Sequence, residues 1–331
     1  MVIINPASNL CRLAGSSVTE RGDARFKEYR RLWTERPLNF SAGDFPLFLD
    51  IEVTNMCNYR CSFCATTYFE DSMKRGVIEP GLVRRIIDEG VDKGLYGVKF
   101  NDRGEPLLCG ELSDHVRYAK KKGLVDVYFN TNGFLMDEDA GRWIVDSGLD
   151  RISVSIEGTT PEVYEKHREG GDFGRVFRNL SRLRELRDRA GSETPRIRVQ
   201  TVLLKELEPD LGEYARFWSE IADEVCYIDY KEEEKAHLRG NIHGVEWACH
   251  QLWQRMVIWW DGTILPCNED DRGRLTVGNV ASMSIEEAWN SGHLRLLREK
   301  HKGGGSGEMA PCDKCYLRDS EIKKIAAGGE K

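Results

Sequence analysis

The sequence lacks the long apolar segment that a transmembrane helix requires. No run approaches about 18 to 20 uninterrupted apolar residues, and the opening residues, MVIINPASNLCRLAGSS, have no apolar core of the kind that marks a secretion signal. An excess of positive charge is also absent, since the formal net charge is -7 at pH 7. These absences predict a cytoplasmic protein that binds neither a membrane nor nucleic acid.

Cysteine, by contrast, is plentiful, because the 331 residues include ten of them. Seven fall into two groups, and grouped cysteines in a reducing compartment favour metal ligation over disulfide bonds. The other three have no cysteine close to them in sequence, and an isolated cysteine ordinarily packs as a small apolar side chain. These three are Cys11, Cys109 and Cys226.

Six short apolar runs alternate with longer segments of helical periodicity. The alternation predicts an α/β fold, in which crossover helices connect a parallel sheet. Six units fit a partial (β/α)6 barrel of the TIM type, whose chemistry lies at the carboxyl ends of the strands. The runs cover residues 46–53, 96–100, 125–129, 152–156, 197–203 and 225–230, and the helical segments cover 80–93, 112–122, 138–147, 173–190 and 207–221.

The pattern divides the chain into three parts. Residues 1–44 are polar and basic and are interpreted as an N-terminal extension, residues 45–235 as the barrel, and residues 236–331 as a small cysteine-rich domain. In the last part, Asp261-Gly262 between two apolar runs predicts a hairpin. A helix is expected at residues 284–301, followed by a flexible glycine-rich segment at 303–307.

The first cysteine group has the spacing Cys57-x3-Cys61-x2-Cys64 and follows the first apolar run. Three thiolates leave one iron of a four-iron cluster without a protein ligand, and an open metal position can bind a small molecule. A structural zinc site is the alternative, but such a site ordinarily consists of two matched cysteine pairs. The triplet therefore favours a catalytic cluster.

The segment CNYRCSFC, with an aromatic residue before its third cysteine, resembles the radical S-adenosylmethionine superfamily. The resemblance implies an open [4Fe-4S] cluster that chelates S-adenosylmethionine, and a 5'-deoxyadenosyl radical that abstracts hydrogen from a substrate. It also implies an external reductant of the flavodoxin or ferredoxin type.

Later motifs extend this resemblance. Residues 101–106, NDRGEP, are similar to the family's Gly-Gly-Glu-Pro motif, which implies that Glu105 receives the methionine amino group. Arg103 replaces the first glycine, and three roles stay open for it: binding the methionine carboxylate, binding a substrate anion, or forming a structural ion pair. The segments NTNG and SVSIEG resemble those that contact the ribose and the methionine, and the residues implied are Asn130, Asn132, Ser153 and Ser155.

Four cysteines in the last third of the chain can close a second cluster completely. A closed cluster cannot bind substrate directly, so its expected work is the transfer of one electron. A structural metal, zinc included, is the alternative. The four are Cys249, Cys267, Cys312 and Cys315.

The segments around these four cysteines resemble the C-terminal SPASM domain of the same superfamily, which in its full form carries two auxiliary clusters. No cysteine follows Cys315, and Asn268 stands where many members have a second adjacent cysteine. The resemblance therefore implies the shortened form known as a twitch domain, with spacing similar to that of the superfamily's aminocyclitol dehydrogenases. Two [4Fe-4S] clusters are expected in all, one open and one auxiliary.

The favoured reaction is oxidation of a secondary alcohol in a sugar or aminocyclitol, a small-molecule substrate of a biosynthetic pathway. This reaction needs a base within hydrogen-bond reach of the hydroxyl group, and the polar residues at the end of the sixth run are candidates by position. They are Tyr227, Asp229, Tyr230 and Lys231. Strand alternation predicts Tyr227 and Asp229 on one face, with Cys226 and Tyr230 on the other.

Three other reactions stay open. Epimerisation would need a thiol hydrogen donor outside both clusters, for which Cys226 is the first candidate and Cys109 the second. Many SPASM relatives modify a peptide or protein, but about 44 N-terminal residues are few for a leader-binding domain. The third is a redox-neutral lyase or decarboxylase reaction, in which Arg103 or Arg198 could bind a substrate carboxylate or phosphate.

Overall fold

The computed structural model of the protein describes residues 2–6, 10–17, 23–69, 72–231 and 245–326. Within these residues ten strands form one sheet, and two more form a short separate ladder. The strands are β1 Leu10–Gly15, β2 Phe48–Ile51, β3 Arg60–Cys61, β4 Gly97–Lys99, β5 Asp126–Thr131, β6 Arg151–Ser155, β7 Arg168–Glu169, β8 Arg196–Leu203, β9 Glu224–Asp229, β10 Arg255–Ile258, β11 Thr263–Leu265 and β12 Gly278–Asn279. The helices are α1 Ala24–Leu38, α2 Pro80–Asp92, α3 Leu112–Lys121, α4 Glu138–Asp146, α5 Pro161–His167, α6 Phe173–Arg189, α7 Leu211–Ser219, α8 Ile285–Trp289, α9 Gly292–Lys302 and α10 Tyr316–Ala326.

Six neighbouring strands of the large sheet run parallel, in the order β9-β8-β6-β5-β4-β2. Helices α2, α3, α4, α6 and α7 lie in the connections between them. All six strands lie at the predicted runs, and the predicted fold class, a partial (β/α)6 barrel, is confirmed. No helix among the described residues is both long enough and apolar enough to cross a membrane.

Helix α2 shows why the helical segments fold as the periodicity predicts. Pro80 occupies the first turn, where its missing N–H costs nothing, and Glu79 accepts hydrogen bonds from the N–H groups of Gly81 and Leu82. These bonds satisfy two of the N–H groups that the start of a helix leaves without partners. The stripe that the helix buries against the sheet is formed by Val83, Ile86 and Ile87.

The N-terminal residues belong to the main sheet rather than forming an appendage. Strand β1 pairs antiparallel with β9, so that Cys11 lies opposite Tyr227. Helix α1 then buries three aromatic side chains against Phe48 of β2. The sequence pattern misses β1 because an edge strand of intermediate burial carries little apolar signal. The aromatic residues are Phe26, Tyr29 and Trp33.

The cysteine-rich segment extends the opposite edge of the same sheet. Strand β10 pairs in parallel with β2, placing Val257 beside Asp50. Strands β10 and β11 form the predicted hairpin, and Gly262 at its turn has φ +86°, a conformation that favours glycine. The edge pairing joins the barrel to the second cysteine group through continuous backbone hydrogen bonds.

Two predictions for this segment are wrong. The single helix expected at residues 284–301 is divided into α8 and α9, because the side chain of Ser291 caps a new helix by accepting from the N–H of Leu294. The glycine-rich segment expected to be flexible is packed instead. Ser306 is fully buried, and its hydroxyl donates to the carbonyl of Trp247 at 2.6 Å.

Candidate functional site

The first cysteine group lies in the loop that follows β2, and neighbouring residues of the loop contact its first and third thiols. The Sγ of Cys57 accepts from the N–H of Tyr59 at 3.4 Å, and the Sγ of Cys64 lies 3.0 Å from the hydroxyl of Thr66. Burial raises the pKa of Cys57 to about 11 and that of Cys61 to about 12. Electrostatic repulsion from Cys64 adds to both increases. Cys57 and Cys61 are therefore poorly solvated, and bound iron would replace the protons of their thiols.

Arg168 adjoins this group, although nothing near it in sequence indicates such a role. Strand β7 pairs with β3, which places Arg168 opposite Cys61. The guanidinium donates to the carboxylate of Glu157, with 3.1 Å between Nη2 and Oε1, and Nη1 lies 3.8 Å from the Sγ of Cys61. The ion pair with buried Glu157 raises the pKa of Arg168 against the opposing effect of desolvation, so the positive charge stays beside the thiol.

Glu105 is brought next to the same loop. Its carboxylate accepts from the hydroxyl of Thr131 and the N–H of Asn132, both at 2.7 Å, and burial raises its pKa. The side chain of Asn132 in turn donates to the side chain of Asn58, within the cysteine loop, at 2.9 Å. Two of the predicted cofactor-binding residues, Glu105 and Asn132, therefore lie beside the first cysteine group.

The other predicted cofactor-binding residues lie on neighbouring strands. Asn130 on β5 lies beside Ser153 on β6, and Gln200 on β8 lies beside Ser155. Ser153 is 1% exposed, and its hydroxyl has no hydrogen-bond partner among the described residues. The hydroxyl of Ser155 accepts from Gln200 at 3.4 Å. Ser153 is thus a buried polar group beside the strand that carries Asn130, with its hydrogen-bonding capacity unused within the described residues.

Arg103 forms a structural ion pair, one of the three roles open to it. Its Nε and Nη2 atoms donate to the two carboxylate oxygens of buried Glu52 at 2.6 and 2.8 Å. The guanidinium carbon lies 3.4 Å from the ring centre of Trp259, and Nη1 donates to the carbonyl of Asp271 at 3.3 Å. Arg103 therefore ties the loop after β4 to the cysteine-rich segment.

The second cysteine group borders a cavity of about 510 Å3 lined by three of its members. Burial raises the pKa of Cys312 to about 12 and that of Cys315 to about 11, and the pKa values of Cys249 and Cys267 lie well above their usual range for the same reason. Neighbouring thiols of the group add to the raised pKa values of Cys249, Cys267 and Cys312. None of these cysteines forms a disulfide within the described residues.

Both groups offer donor sets that suit iron-sulfur clusters. Across the described part of the chain, no three His, Cys, Asp or Glu side chains converge closely enough to hold one metal ion. A four-iron cluster is larger than one ion and spaces its thiolate ligands more widely. Three thiols in the first group and four in the second fit an open and a closed cluster.

A second cavity, of about 290 Å3, lies between the barrel and the cysteine-rich segment. Its walls are mainly polar and come from strands β4, β5, β8 and β9 and from the chain around Asn268. Several of its residues, Lys231 among them, also line the cavity at the second cysteine group. The polar side chains of the walls include Lys99, Asn101, Asp102, Asn130, Arg198, Gln200, Asp229, Lys231, His250, Asn268, Glu269 and Asp271.

The candidates on β9 separate into different environments. Tyr227 lies against β1, where a hydrogen bond with the Cys11 side chain raises its pKa to about 12. Cys226 is fully buried in register with Gln200, and burial raises its pKa to about 12. Neither residue lines the polar cavity. Asp229 does, although alternation groups it with Tyr227, because the strand ends there.

The remaining candidates are also held in place. Lys231 pairs with Glu269 at 3.1 Å and Asp271 at 3.2 Å, and these carboxylates raise its pKa well above the usual range against the effect of desolvation. Tyr230 is partly buried and does not line the cavity. Arg198 donates from Nε to Glu224 at 2.6 Å, while Cys109 is buried with its thiol 3.9 Å from Glu111.

Two family models match the chain. Residues 51–210 match the Radical SAM superfamily, and residues 249–316 match the SPASM model, described as an iron-sulfur cluster-binding domain. The two matches include all seven cysteines of the two groups, and together they span more than half of the chain.

Curated relatives share part or most of the chain. The probable GTP 3',8-cyclase of Methanocaldococcus jannaschii is 28% identical over 60% of this chain and 64% of its own length. The tungsten-containing aldehyde ferredoxin oxidoreductase cofactor-modifying protein of Pyrococcus furiosus is 28% identical over 82% of this chain and 88% of its own length. The chain thus spans less than two thirds of the cyclase.

Solved structures share the fold at low sequence identity. BtrN in complex with AdoMet and 2-DOIA superposes with a TM-score of 0.55 at 19% identity, over 81% of this chain and 92% of that one. Streptococcus suis SuiB bound to precursor peptide SuiA superposes with a TM-score of 0.62 at 15% identity, over 89% of this chain and 74% of that one. One fold thus serves a small ligand in the first complex and a peptide in the second.

Proposed function

The chain belongs to the radical S-adenosylmethionine superfamily and has a SPASM domain, and from this premise we propose that it oxidises a secondary alcohol of a sugar or aminocyclitol. S-adenosylmethionine and [4Fe-4S] clusters, one of them auxiliary, are its cofactors. The boundaries proposed for the two domains are residues 45–235 and 236–331. The open cluster and S-adenosylmethionine, when bound, supply the radical that removes hydrogen from carbon.

The observation that carries the proposal is the polar cavity between the barrel and the auxiliary site. Its volume of about 290 Å3 suits a small molecule, and its amide, carboxylate and ammonium groups suit several hydroxyl or amino groups. Lys231 lines this cavity and the cavity at the second cysteine group, so a substrate there would lie close to an electron acceptor. BtrN, which shares the fold, is seen in complex with AdoMet and 2-DOIA.

We propose that residues described above bind the two clusters and S-adenosylmethionine. Cys57, Cys61 and Cys64 would hold the open cluster, and Glu105 would bind the methionine amino group with its carboxylate fixed by Thr131 and Asn132. The hydroxyl of Ser153 and the neighbouring residues Asn130 and Ser155 would contact the rest of the cofactor. The second cluster would be closed by Cys249, Cys267, Cys312 and Cys315.

The atoms and electrons of the proposed oxidation balance with the two clusters, S-adenosylmethionine and a protein base. With the cofactors bound, the alcohol would lose a hydrogen atom from carbon to the radical that they supply, a proton from oxygen to a protein base, and one electron to the auxiliary cluster. The product is a ketone, and 5'-deoxyadenosine and methionine leave. Epimerisation is disfavoured because its best thiol donor, Cys226, is fully buried and does not line the polar cavity.

Anaerobic turnover with candidate substrates tests the proposal. The reconstituted protein would be incubated with S-adenosylmethionine, a reductant and, separately, 2-deoxy-scyllo-inosamine, myo-inositol, GTP, or a cysteine-containing peptide. Ketone formation from a carbon-deuterated polyol, with deuterium in the 5'-deoxyadenosine, is the expected result. If only GTP were converted, the protein would be a cyclase, and if only the peptide were converted, it would be a peptide-modifying enzyme. Either result would overturn the proposal.

A matched pair of variants tests the electron acceptor. Cys312→Ala, which removes a ligand of the auxiliary cluster, should stop ketone formation after at most one turnover. The electron that remains on the substrate after hydrogen abstraction would then have no acceptor. Cys226→Ala lies outside both groups and should leave the oxidation nearly intact. Multiple turnover by the first variant would remove the auxiliary cluster from the reaction. An inverted alcohol in place of a ketone from the wild-type protein, lost in Cys226→Ala, would favour epimerisation.

A further inference from the structure

Asp102 occupies a position in the polar cavity to which the family motif assigns no role. It follows β4, is partly buried, and lines the cavity together with Asn101 and Asn130. The indole N–H of Trp259 donates to its Oδ2 at 3.0 Å. This is the single hydrogen bond to the Asp102 carboxylate within the described part of the chain. The carboxylate is therefore oriented from one side and open to a ligand in the cavity.

Trp259 is itself fixed by the ion pair described above. Its ring lies 3.4 Å from the guanidinium carbon of Arg103, which is bound through two hydrogen bonds to Glu52. The indole therefore cannot turn without breaking a stacked, buried contact. Trp259 acts as a positioning residue for the Asp102 carboxylate.

We propose that Asp102 is the base that accepts the hydroxyl proton of the substrate alcohol, an assignment that rests on the proposed function. A base must lie within hydrogen-bond reach of the hydroxyl group, and Asp102 lies in the wall of the cavity that would hold it. The proton passes from the alcohol oxygen to a carboxylate oxygen of Asp102. The carbon-bound hydrogen atom would go to the radical that the bound cofactors supply, and the remaining electron would go to the auxiliary cluster.

The electrostatic surroundings suit this role. Desolvation raises the pKa of Asp102 to about 7, partly offset by the ammonium group of Lys99 and reinforced by three nearby carboxylates. A pKa near neutrality lets a carboxylate accept a proton and release it again within one catalytic cycle. The charged groups that act on Asp102 most strongly are Lys99 of β4, Asp50 of β2, Glu52 after β2, Arg103 next in sequence, and Asp271 of the cysteine-rich segment. The cavity that Asp102 lines also contains the charged side chains of Arg198, Asp229, Lys231, Arg255 and Glu269.

The candidate residues at the end of β9 are less suitable than Asp102 as the base. Tyr227 lies against β1 and does not line the cavity, and Lys231 is kept protonated by Glu269 and Asp271. Asp229 also lines the cavity, and its Oδ2 likewise accepts a hydrogen bond, from the hydroxyl of Ser320 at 3.0 Å. Asp102 differs in the desolvation and the three nearby carboxylates that raise its pKa. Asp102 therefore combines access to the cavity with a nearly neutral pKa.

Two variants of the reconstituted holoenzyme test the assignment. With the carbon-deuterated alcohol that the wild-type protein oxidises, Asp102→Asn should keep deuterium transfer to 5'-deoxyadenosine but lower ketone formation by about 100-fold. Trp259→Phe keeps an aromatic ring beside Arg103 but removes the N–H donor. It should move the acid limb of the pH–rate profile upward by about one pH unit, because the carboxylate loses a stabilising hydrogen bond.

An infrared titration supplies a readout that is independent of turnover. The difference spectrum between wild-type protein and Asp102→Asn should show one protonated carboxyl group that ionises near pH 7, and Trp259→Phe should shift that midpoint upward. Wild-type ketone formation by Asp102→Asn, or no such carboxyl signal, would overturn the assignment of Asp102 alone. If the wild-type protein oxidises no alcohol, the proposed function fails, and the base assignment fails with it.

Discussion

The Nη1 atom of Arg168 lies 3.8 Å from the Sγ of Cys61, although 107 residues separate the two in sequence. The β3–β7 ladder places them opposite each other, and Glu157, which is fully buried, holds the guanidinium in place. A fixed positive charge and an N–H donor beside a cysteine favour the thiolate, the form that binds iron. The ion pair therefore holds the guanidinium beside Cys61, where it would favour the thiolate in the proposed open cluster.

Removing this cation should destabilise the protein. Arg168→Gln is expected to lower the free energy of unfolding by about 3 kcal/mol, because Glu157 would remain buried as an uncompensated carboxylate. The double variant with Glu157→Gln should recover most of the loss, since no buried charge remains. Denaturant unfolding of the metal-free proteins measures both values. Equal losses in the single and double variants would show that the ion pair is not the source of the effect.

Glu105 provides a test of the cofactor site. Glu105→Gln should weaken S-adenosylmethionine binding at least about tenfold, because the negative charge is lost and an amide N–H would face the donors of Thr131 or Asn132. Titration of the reconstituted protein with S-adenosylmethionine, followed by electron spin resonance of the reduced cluster, gives the affinity. Thr131→Val removes one donor but keeps the carboxylate, so its effect should be smaller. Unchanged affinity in Glu105→Gln would exclude Glu105 from the site.

Sequence reasoning succeeds here where the signal is local and fails where it depends on distant contacts. The six parallel strands are visible because strands buried on both faces form nearly continuous apolar runs. The cysteine spacings and the NDRGEP segment are visible because their members lie within a few residues of one another. Trp259 and Asp102 are 157 residues apart, and no periodicity or motif indicates that they meet. The edge strand β1 is missed because its residues are at most partly buried.

The iron content of cysteine variants tests the two donor sets separately. Wild-type protein should hold about eight irons after anaerobic reconstitution, and Cys61→Ala or Cys315→Ala should each reduce this to about four, since each removes a ligand of one cluster. Cys109→Ala is the matched control, because this buried cysteine lies outside both groups and should leave the iron content unchanged. Four irons with one zinc in the wild-type protein would instead identify the second group as a structural zinc site.

The ionisation of Asp102 should also appear in the stability of the protein. Its pKa is raised from 3.8 to about 7 in the folded protein, so the folded state binds this proton more tightly than the unfolded chain does. The carboxyl group therefore favours folding most at low pH, and that advantage is lost as the pH rises from about 4 through about 7. Asp102→Asn removes the ionisable group, so the stability of the variant relative to wild type should rise by about 2 kcal/mol between about pH 5.5 and about pH 8.5. Denaturant unfolding of the two metal-free proteins at both pH values measures the difference, and Asp229→Asn, at the other carboxylate of the cavity, is the control. A constant difference between Asp102→Asn and wild type at the two pH values would show that Asp102 ionises normally, and would remove the electrostatic support for its assignment as the base.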